Sequence, residues 1–359
     1  MRKILILGCG GPAAYNFIES LRLSGEKFYI IGTDANKYHL KLTKPDESYL
    51  VPFCSDPSYI KTINKLIDEK KIDFIHAQPD IEVANLSENR EKFHAKVFLP
   101  SKKCIQVLQD KFLSAEAWMN AGIASSKTNP INLDSIEVDI SRAIEKLGLP
   151  LWIRATSGAG GRGSTLANNE RTAIHWIKYW QSRDVPWKFI AQEYLPGRNY
   201  AFHSLFKDGN LIVSQGRERL EYIYPYLAPS GITGTPVVAR TIHNEKVNEI
   251  ATKAVTAIDS KASGVFCVDL KENKDGIPYL TEINVGRFFT SNLFFAYAGS
   301  ELNIPLANMQ YLYIKLGLGD PIPRDIPKYN VLPKDLYWIR HIDCGYHLVR
   351  GDNWDKMLS

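Results

Sequence analysis

Two carboxylates in the last third of the chain are spaced so that a hairpin would bring them together. The segment VFCVDLKENKDGIPYLTEIN contains Asp275-Gly276 between two apolar runs, a strong signal for a two-residue hairpin turn. In such a turn Lys274 pairs with Ile277. The same register sets Asp269 directly opposite Glu282 on one face of the sheet.

An amide joins these two carboxylates, because Asn284 lies two residues beyond Glu282 and projects from the same face. Neighbouring carboxylates repel each other, and burying them unpaired is costly. A hard cation such as Mg²⁺ or Mn²⁺ removes the conflict, since it takes oxygen ligands and bridges carboxylates to phosphates. We therefore predict a metal site formed by Asp269, Glu282 and Asn284. The alternative is that one acid faces solvent or pairs with a lysine or arginine.

A glycine-rich segment could bind phosphate. LPLWIRATSGAGGRGS has a strand that delivers Arg154 and then a loop with Gly158, Gly160, Gly161 and Gly163. Glycines let backbone N–H groups approach phosphate oxygens closely, and Arg154 can add a charge-assisted contact. No G-K-[ST] follows, so this is not a Walker A loop. A loop without a ligand is the alternative.

A second glycine motif lies at the N-terminus and supports a different function. Gly8, Gly10 and Ala13 follow a strand and precede a helix, and Asp34 ends the next strand. This arrangement matches the dinucleotide-binding fingerprint, so an NAD-dependent oxidoreductase is an alternative. It explains neither the second glycine loop nor the paired carboxylates.

Several other polar residues could either contact a ligand or have only a structural role. His76, Gln78 and Asp80 end a predicted parallel strand, where α/β sheets bind ligands, but they could equally bond locally. Three arginines could contact substrate or phosphate, or simply be exposed on strands: Arg217, Arg219 and Arg240.

The elements that must position these residues change type along the chain. The first hundred residues alternate strands such as KILILG and FYIIGTD with amphipathic helices such as residues 58–70, which predicts a doubly wound parallel sheet. Residues 104–123 read as one helix ended by Gly122. Antiparallel strands are predicted from Phe189 onward, and the last forty residues read as a packed extension.

Composition excludes several classes of protein. The 359 residues carry a formal net charge of +5 without a basic cluster, so we expect no nucleic-acid partner. No apolar run approaches the ~20 residues that cross a bilayer, and we see no secretory signal. The five cysteines are scattered, without a C-x-x-C pair, and indicate reduced thiols in the cytoplasm.

The order of these motifs resembles the ATP-grasp superfamily, in particular the ATP-binding halves of the carbamoyl-phosphate synthase large subunit. The resemblance covers nearly the whole chain. In that family a helix carries a basic residue after an acid, matched here by Gln109-Asp110-Lys111. A Lys or Arg before a glycine-rich lid is matched by Arg154 and the loop with Gly160 and Gly161. SGITGTPVVART is similar to a loop near the phosphates, and the family's Asp…Glu-x-Asn metal pattern is similar to the trio named above.

The family's adenine-binding hinge resembles Gln192-Glu193-Tyr194-Leu195, where backbone groups would read the adenine edge. Two positions depart from the family. Asn199 stands where many relatives have a glutamate that binds ribose, and EINVGR replaces E-x-N-P-R, which moves the arginine to Arg287. The resemblance implies that Arg287 and Arg154 are catalytic, at the transferring phosphoryl group or the substrate carboxylate.

The resemblance also implies the architecture, α/β and α+β, with an N-terminal doubly wound parallel sheet before a two-subdomain ATP-grasp fold. We expect a Rossmann-like pre-ATP-grasp domain at 1–104 and a linker helix with a lid subdomain at 105–190. A C-terminal subdomain with the metal site would span 191–318, followed by an extension at 319–359.

The expected function is activation of a carboxylate with Mg-ATP as an acyl phosphate, which an amine or ammonia then attacks. ATP is the expected cofactor, held by Lys111, Arg154, the lid and the hinge, with Asp269 and Glu282 at the metal. A stand-alone kinase of bicarbonate or carbamate is the alternative within the superfamily. The carboxylate, the nucleophile and the existence of a homodimer stay open.

Overall fold

The computed structural model describes residues 1–158, 161–342 and 344–351, which form three sheets flanked by helices. The strands are β1 Arg2–Leu7, β2 Phe28–Asp34, β3 Glu47–Leu50, β4 Phe74–Ala77, β5 Lys96–Val97, β6 Thr128–Ile131, β7 Leu151–Ala155, β8 Thr165–Ala167, β9 Phe189–Glu193, β10 Asn199–Lys207, β11 Asn210–Tyr222, β12 Pro236–Ile242, β13 Gly264–Glu272, β14 Pro278–Val285, β15 Leu336–Arg340 and β16 Tyr346–Arg350. The α-helices are α1 Pro12–Arg22, α2 Tyr59–Lys70, α3 Asp80–Glu88, α4 Lys102–Gln109, α5 Lys111–Asn120, α6 Ile136–Leu147, α7 Glu170–Gln181, α8 Glu245–Ile258, α9 Leu293–Glu301 and α10 Met309–Leu318.

The N-terminal sheet is parallel, in the order β3-β2-β1-β4-β5, which confirms the predicted doubly wound design. Alternate residues of β1 enter different cores. Ile4 and Ile6 pack with α1, while Leu5 and Leu7 pack with α2 on the opposite face. A strand buried on both faces reads as a continuous apolar run, as KILIL does. The short strand β3 was not predicted, because its residues ESYL include only two apolar side chains.

The predicted single helix over residues 104–123 is wrong, since the structure has two helices, α4 and α5. Asp110 separates them in an extended conformation, and its side chain accepts hydrogen bonds from the N–H groups of Phe112 and Leu113 at 2.8 and 3.1 Å. An aspartate in this position caps a new helix and satisfies its free N–H groups. Lys111 therefore begins α5, and Gly122 follows the helix with φ of 68°.

The rest of the chain builds two antiparallel sheets, as predicted from Phe189 onward. One has seven strands in the order β14-β13-β10-β11-β12-β15-β16, and the other has four in the order β6-β9-β7-β8. The predicted C-terminal extension contributes β15, which pairs with β12, and β16 at the sheet edge. Both sheets meet at the cavity described below.

The predicted two-residue turn between β13 and β14 is wrong. Asn273 N donates to Ile277 O at 2.9 Å, which leaves the three residues 274–276 in the loop, with Gly276 at φ of 73°. The Asn273 side chain accepts from the N–H groups of Asp275 and Ile277, both at 2.9 Å, and this local bonding stabilises the longer loop.

The longer loop shifts the register by one residue, and an irregularity in the strands shifts it back. Leu270 pairs with Leu280, whereas Asp269 pairs with Glu282, so Thr281 is the extra residue of a bulge. The Thr281 hydroxyl donates to Asp269 O at 3.1 Å. The predicted pairing of Asp269 with Glu282 is therefore present, although it arises from two compensating departures from the simple hairpin.

Within the described residues, no helix is both long enough and apolar enough to cross a lipid bilayer. The five cysteines are free; four are buried and Cys344 is exposed.

Candidate active site

A cavity of about 710 Å³ lies between the two antiparallel sheets and helix α3 of the N-terminal domain. Its volume falls in the range of about 300–1,000 Å³ that is typical of small-molecule sites. The predicted site residues that line it are Lys111, Arg154, Gly161, Gln192, Glu193, Tyr194, Leu195, Asn199, Asp269, Glu282, Asn284 and Arg287. Residues separated by more than 170 positions in the chain thus share one cavity. Gly160 lies outside the described residues.

The two acids lie at the centre of the cavity wall, and both are paired with cations. Arg219 donates to Oδ1 of Asp269. Arg154 donates to Oε2 of Glu282 at 2.5 Å, and Lys111 Nζ lies 3.6 Å from the same oxygen. The alternative raised from the sequence, an acid paired with a basic residue, therefore describes both carboxylates.

These contacts and burial shift the pKa values of the two acids in opposite directions. Burial raises the pKa of the Asp269 carboxyl. Arg219 lowers this pKa and the neighbouring Glu282 raises it, so that the pKa is above its usual value in sum. Burial also acts to raise the pKa of Glu282, but Arg154 and Lys111 together lower it below its usual value. Two acids with divergent pKa values in one cavity are typical of a functional site.

The donor set fits a divalent cation in part. The basic contacts fall on Oδ1 of Asp269 and Oε2 of Glu282, so within the described residues no lysine or arginine contacts the second oxygen of either carboxylate. Asn284 instead turns its amide nitrogen to Asp269 Oδ2 at 3.4 Å, and its oxygen accepts from Arg287 at 2.5 Å. Rotating the Asn284 side-chain amide by half a turn would exchange its nitrogen and oxygen, so that the oxygen would face the Asp269 carboxylate.

No group of three or more His, Cys, Asp or Glu side chains in the described ranges is arranged to hold a metal. A cation between Asp269 and Glu282 would therefore need other oxygens, such as those of a phosphate.

The glycine-rich loop closes one end of the cavity against a second loop. Lys111 Nζ donates to Gly158 O at 3.0 Å. Gly161 has φ of 72°, and a Cβ built there would lie 2.5 Å from Ile232 O. Ile232 belongs to the SGITGTPVVART segment, whose residues 232–236 also line the cavity. Only glycine allows this close approach of the two loops.

The predicted hinge lies at another side of the cavity, where β9 ends. Gln192 is buried and donates to Thr128 Oγ1 at 2.8 Å, and Glu193 accepts from Lys127 N at 2.8 Å. These bonds hold the strand so that the following residues, Tyr194 and Leu195, border the cavity. Among the described residues, the Leu195 N–H forms no hydrogen bond with another protein group, so it is available to a ligand.

Asn199 is already engaged by protein groups. It donates to Tyr222 Oη at 2.9 Å and accepts from Arg219 Nη1 at 3.1 Å. A ribose contact at this position would have to share these bonds. Lys271 lies opposite Asn199 on β13, with Nζ 5.1 Å from the centre of the Tyr194 ring. Lys271 was not predicted as a site residue, although its position two residues after Asp269 puts it on the same face of β13.

Arg287 links the N-terminal sheet to the cavity. Its Nη2 donates to Asp80 Oδ2 at 3.1 Å, and Asp80 begins α3. The other two polar residues at the end of β4, His76 and Gln78, are buried inside the protein. His76 is fully buried and stacks on Phe17 at 4.1 Å, and Gln78 Oε1 accepts from His76 Nε2 at 2.8 Å. Of the three polar residues at the end of β4, only Asp80 lines the cavity.

The N-terminal glycine turn is filled by protein groups. Asp34 Oδ2 accepts from Gly10 N at 3.0 Å, and Asp34 Oδ1 accepts from Asn36 N at 2.8 Å. A Cβ at Gly8 would lie 2.3 Å from Pro79, and one at Gly10 would lie 2.2 Å from His39. Close packing explains both glycines, and the acid expected to bind ribose caps the turn instead.

Two antiparallel sheets enclose a cavity that contains two neighbouring acids and several basic side chains, and a parallel α/β domain lies beside them. This combination of fold and site defines a class of protein. A family model described as a PylC-like N-terminal domain matches residues 4–98, and one described as an ATP-grasp domain matches residues 108–291. The chain belongs to the ATP-grasp family. The resemblance read from the sequence is thereby confirmed.

Curated relatives agree with this family. The arginine-specific large chain of mitochondrial carbamoyl phosphate synthase from Neurospora crassa is 25% identical over 380 residues, which covers 99% of this chain and 30% of that protein. Biotin carboxylase 1 of Bacillus subtilis is 28% identical over 187 residues, covering 50% of this chain and 41% of that protein. The chain thus spans less than half the length of either relative.

Solved structures show the same fold at low sequence identity. Carboxyaminoimidazole ribonucleotide synthase from Aspergillus clavatus, complexed with ATP, has a TM-score of 0.69 at 18% identity and covers 94% of this chain and 81% of its own. N5-carboxyaminoimidazole synthetase from Staphylococcus aureus, complexed with ADP, has a TM-score of 0.68 at 19% identity, with coverages of 95% and 82%.

Proposed function

We propose that the chain is an ATP-dependent carboxylate–amine ligase. The observation that carries this proposal is the pair of acids, Asp269 and Glu282, held on adjacent strands in one cavity with Lys111 and Arg154. The likeness in fold to two solved enzymes supports it, because one is a synthase complexed with ATP and the other a synthetase complexed with ADP.

In the proposed arrangement ATP enters between the two antiparallel sheets. Its adenine would lie at the hinge, with the Leu195 N–H as a donor, and its phosphates would lie at Lys111, Arg154 and the glycine-rich loop. Asp269 and Glu282, with Asn284 after its amide turns, would hold Mg²⁺ or Mn²⁺, which supplies charge neutralisation at the phosphates.

The residues of this chain would act mainly by position and charge. A substrate carboxylate oxygen attacks the γ-phosphorus of ATP and the bond to ADP breaks, which leaves an acyl phosphate. An amine or ammonia then attacks the acyl carbon, phosphate leaves, and the nitrogen loses a proton. Arg287, held by Asp80, would contact the transferring phosphoryl group or the carboxylate. The loop through Gly161 would exclude water from the labile intermediate.

A kinase of bicarbonate or carbamate is the second candidate. It is favoured by the match to a carbamoyl phosphate synthase large chain, which extends over 99% of this chain. Such an enzyme would need neither an organic carboxylate nor an amine.

The test is ADP release measured across a panel of carboxylates, each with and without amines, at saturating Mg-ATP. We expect release that requires both a carboxylate and an amine. Release stimulated by bicarbonate alone would instead support the kinase. Undetectable ADP release together with tight NAD binding would contradict both and support the oxidoreductase.

A further inference from the structure

Within the described residues, one arginine of the cavity forms no ion pair. Four arginines of the described chain line the cavity, and three of them pair with carboxylates: Arg154 with Glu282, Arg219 with Asp269 and Arg287 with Asp80. Arg217 is the fourth. Its side chain is only 1% exposed, and within the described residues its Nε and Nη1 atoms have no hydrogen-bond partner.

Arg217 keeps its charge in this setting. Burial, followed by the nearby Arg219 and Arg340 guanidinium groups, lowers its pKa to about 9, which leaves it protonated at neutral pH. Arg340 adds to the positive field, because it too is largely buried and its Nη2 has no partner among the described residues. A buried charge without a partner is costly, so a missing anion is the simplest explanation of the site.

The sheet register places the backbone of Arg217 at a distance from the proposed phosphate site. Glu282, Asp269, Ala201 and Arg217 lie directly opposite one another on β14, β13, β10 and β11, so they form one row across one face. With a spacing of ~4.8 Å between strands, the backbone of Arg217 lies roughly 10 Å from that of Asp269. Lys111 and Arg154 contact Glu282, at the opposite end of the row.

The small side chain of Ala201 separates the acid from the arginine. The guanidinium group of Arg217 is oriented by Phe289, whose ring centre lies 5.9 Å from its Cζ atom. Arg219 approaches the same ring at 5.1 Å. Cation–π contact holds a guanidinium group without using its N–H groups, so the Nε and Nη1 groups of Arg217 remain for an anion.

We propose that Arg217 binds a second, non-reacting anionic group of the carboxylate substrate. The inference rests on the proposed function for the position of the reacting carboxylate, near Arg287 and the paired acids. The triphosphate is proposed to lie at Lys111 and Arg154, at the other end of the row, so we assign the anion at Arg217 to the substrate. The substrate is therefore a small molecule with two anionic groups, the second being a carboxylate or a phosphoryl group, both of which match the guanidinium fork.

The test compares three probes by isothermal titration calorimetry at constant ionic strength: propionate, succinate and 3-phosphonopropionate. Each is titrated with and without saturating Mg-ADP. We expect at least one dianion to bind wild-type protein tenfold or more tightly than propionate. Stronger binding of succinate would assign a carboxylate to the site, and stronger binding of 3-phosphonopropionate would assign a phosphoryl group.

Arg217→Met removes the charge but keeps a long apolar side chain, and we expect it to reduce the preference for dianions to threefold or less. Arg240→Met is the matched control, because Arg240 pairs with Glu218 and does not line the cavity. It should retain the preference. Arg217→Lys serves as a second variant if the methionine protein does not fold, and we expect it to weaken dianion binding while propionate binding stays unchanged.

Equal affinity of the three probes for wild-type protein, or a preference for dianions that survives in Arg217→Met, would overturn the inference. The two proposals fail separately. A protein that prefers dianions but does not bind Mg-ADP would contradict the proposed function alone, and one that binds Mg-ADP without preferring dianions would contradict the Arg217 site alone.

Discussion

At the scale of single residues, the chemistry of the cavity depends on how its charges are balanced. Glu282 forms ion pairs with both Arg154 and Lys111, and these basic groups hold its pKa below the usual value for a glutamate. The side chain therefore stays ionised at neutral pH. In the proposed reaction the same carboxylate would share its second oxygen with the metal ion.

Glu282→Gln tests this role. The substitution keeps the shape of the side chain but removes its charge, so we expect magnesium-dependent ATP turnover to fall by about 100-fold or more. The measurement is ADP release over a range of Mg²⁺ concentrations. Circular dichroism should show that the fold is intact.

Asp275→Asn is the control for this variant, because it removes one negative charge from the exposed loop of the same hairpin. Turnover in this protein should match that of wild type. Undiminished turnover in Glu282→Gln would count against the proposed metal site.

At the scale of elements, loops rather than strands close the cavity. The glycine-rich loop meets the segment containing Ile232 so closely that a side chain at Gly161 would collide with the Ile232 carbonyl. A second contact holds the loop at Gly163, because Trp176 on α7 donates its indole N–H to Gly163 O at 3.0 Å. The position of the loop is thus set by contacts with two other elements.

Gly161→Ala should disturb this contact without unfolding the protein. Gly158→Ala is the matched control, because Gly158 also has a positive φ, 97°, but a Cβ there would meet no atom of the described residues within 4 Å. Both variants carry the same kind of backbone penalty, about 1–2 kcal/mol. Only Gly161→Ala adds the collision.

We expect kcat/KM for ATP to be at least about fivefold lower in Gly161→Ala than in Gly158→Ala, which corresponds to about 1 kcal/mol. Steady-state kinetics at varied ATP concentration measures the difference. Equal values for the two variants would mean that the approach to Ile232 does not matter for the reaction.

At the scale of the whole molecule, the N-terminal domain contributes directly to the cavity. Asp80 lies at the first turn of α3 and holds Arg287, which follows β14 about two hundred residues later in the chain. The parallel sheet thus positions a residue that we propose to be catalytic, although it does not use its own glycine turn to bind a dinucleotide.

Asp80→Asn should leave Arg287 charged but poorly oriented. Because small displacements of a catalytic group can lower a rate by up to about 100-fold, we expect kcat to fall about tenfold or more. The affinity for Mg-ATP should stay within about twofold of wild type, since Asp80 is not among the residues proposed to hold the nucleotide.

Asp68→Asn is the control for Asp80→Asn, because Asp68 lies on α2 of the same domain, with its side chain 60% exposed and paired with His94. Its kinetics should match wild type. An Asp80→Asn protein with normal kcat and weakened Mg-ATP binding would show that Asp80 acts on the nucleotide rather than through Arg287.

Much of the fold and part of the site could be predicted from local sequence patterns. Alternating apolar and amphipathic runs determine the parallel sheet, because strands and helices bury their side chains with different periods. The pairing of Asp269 with Glu282 was also predictable, although the actual turn has three residues and Thr281 forms a bulge. Asp110 was misread as a helix-interior residue because its capping role depends on backbone conformation.

Only the tertiary structure decided which charges meet. Arg154, Arg219 and Asp80 lie 50 or more residues from their oppositely charged partners, so no periodicity in the chain relates them. Their pairing follows from the way the sheets pack around the cavity. The same packing leaves Arg217 buried without an ion pair among the residues that the structure describes. This feature is invisible in the sequence, because burial and the distance between charges are properties of the folded molecule.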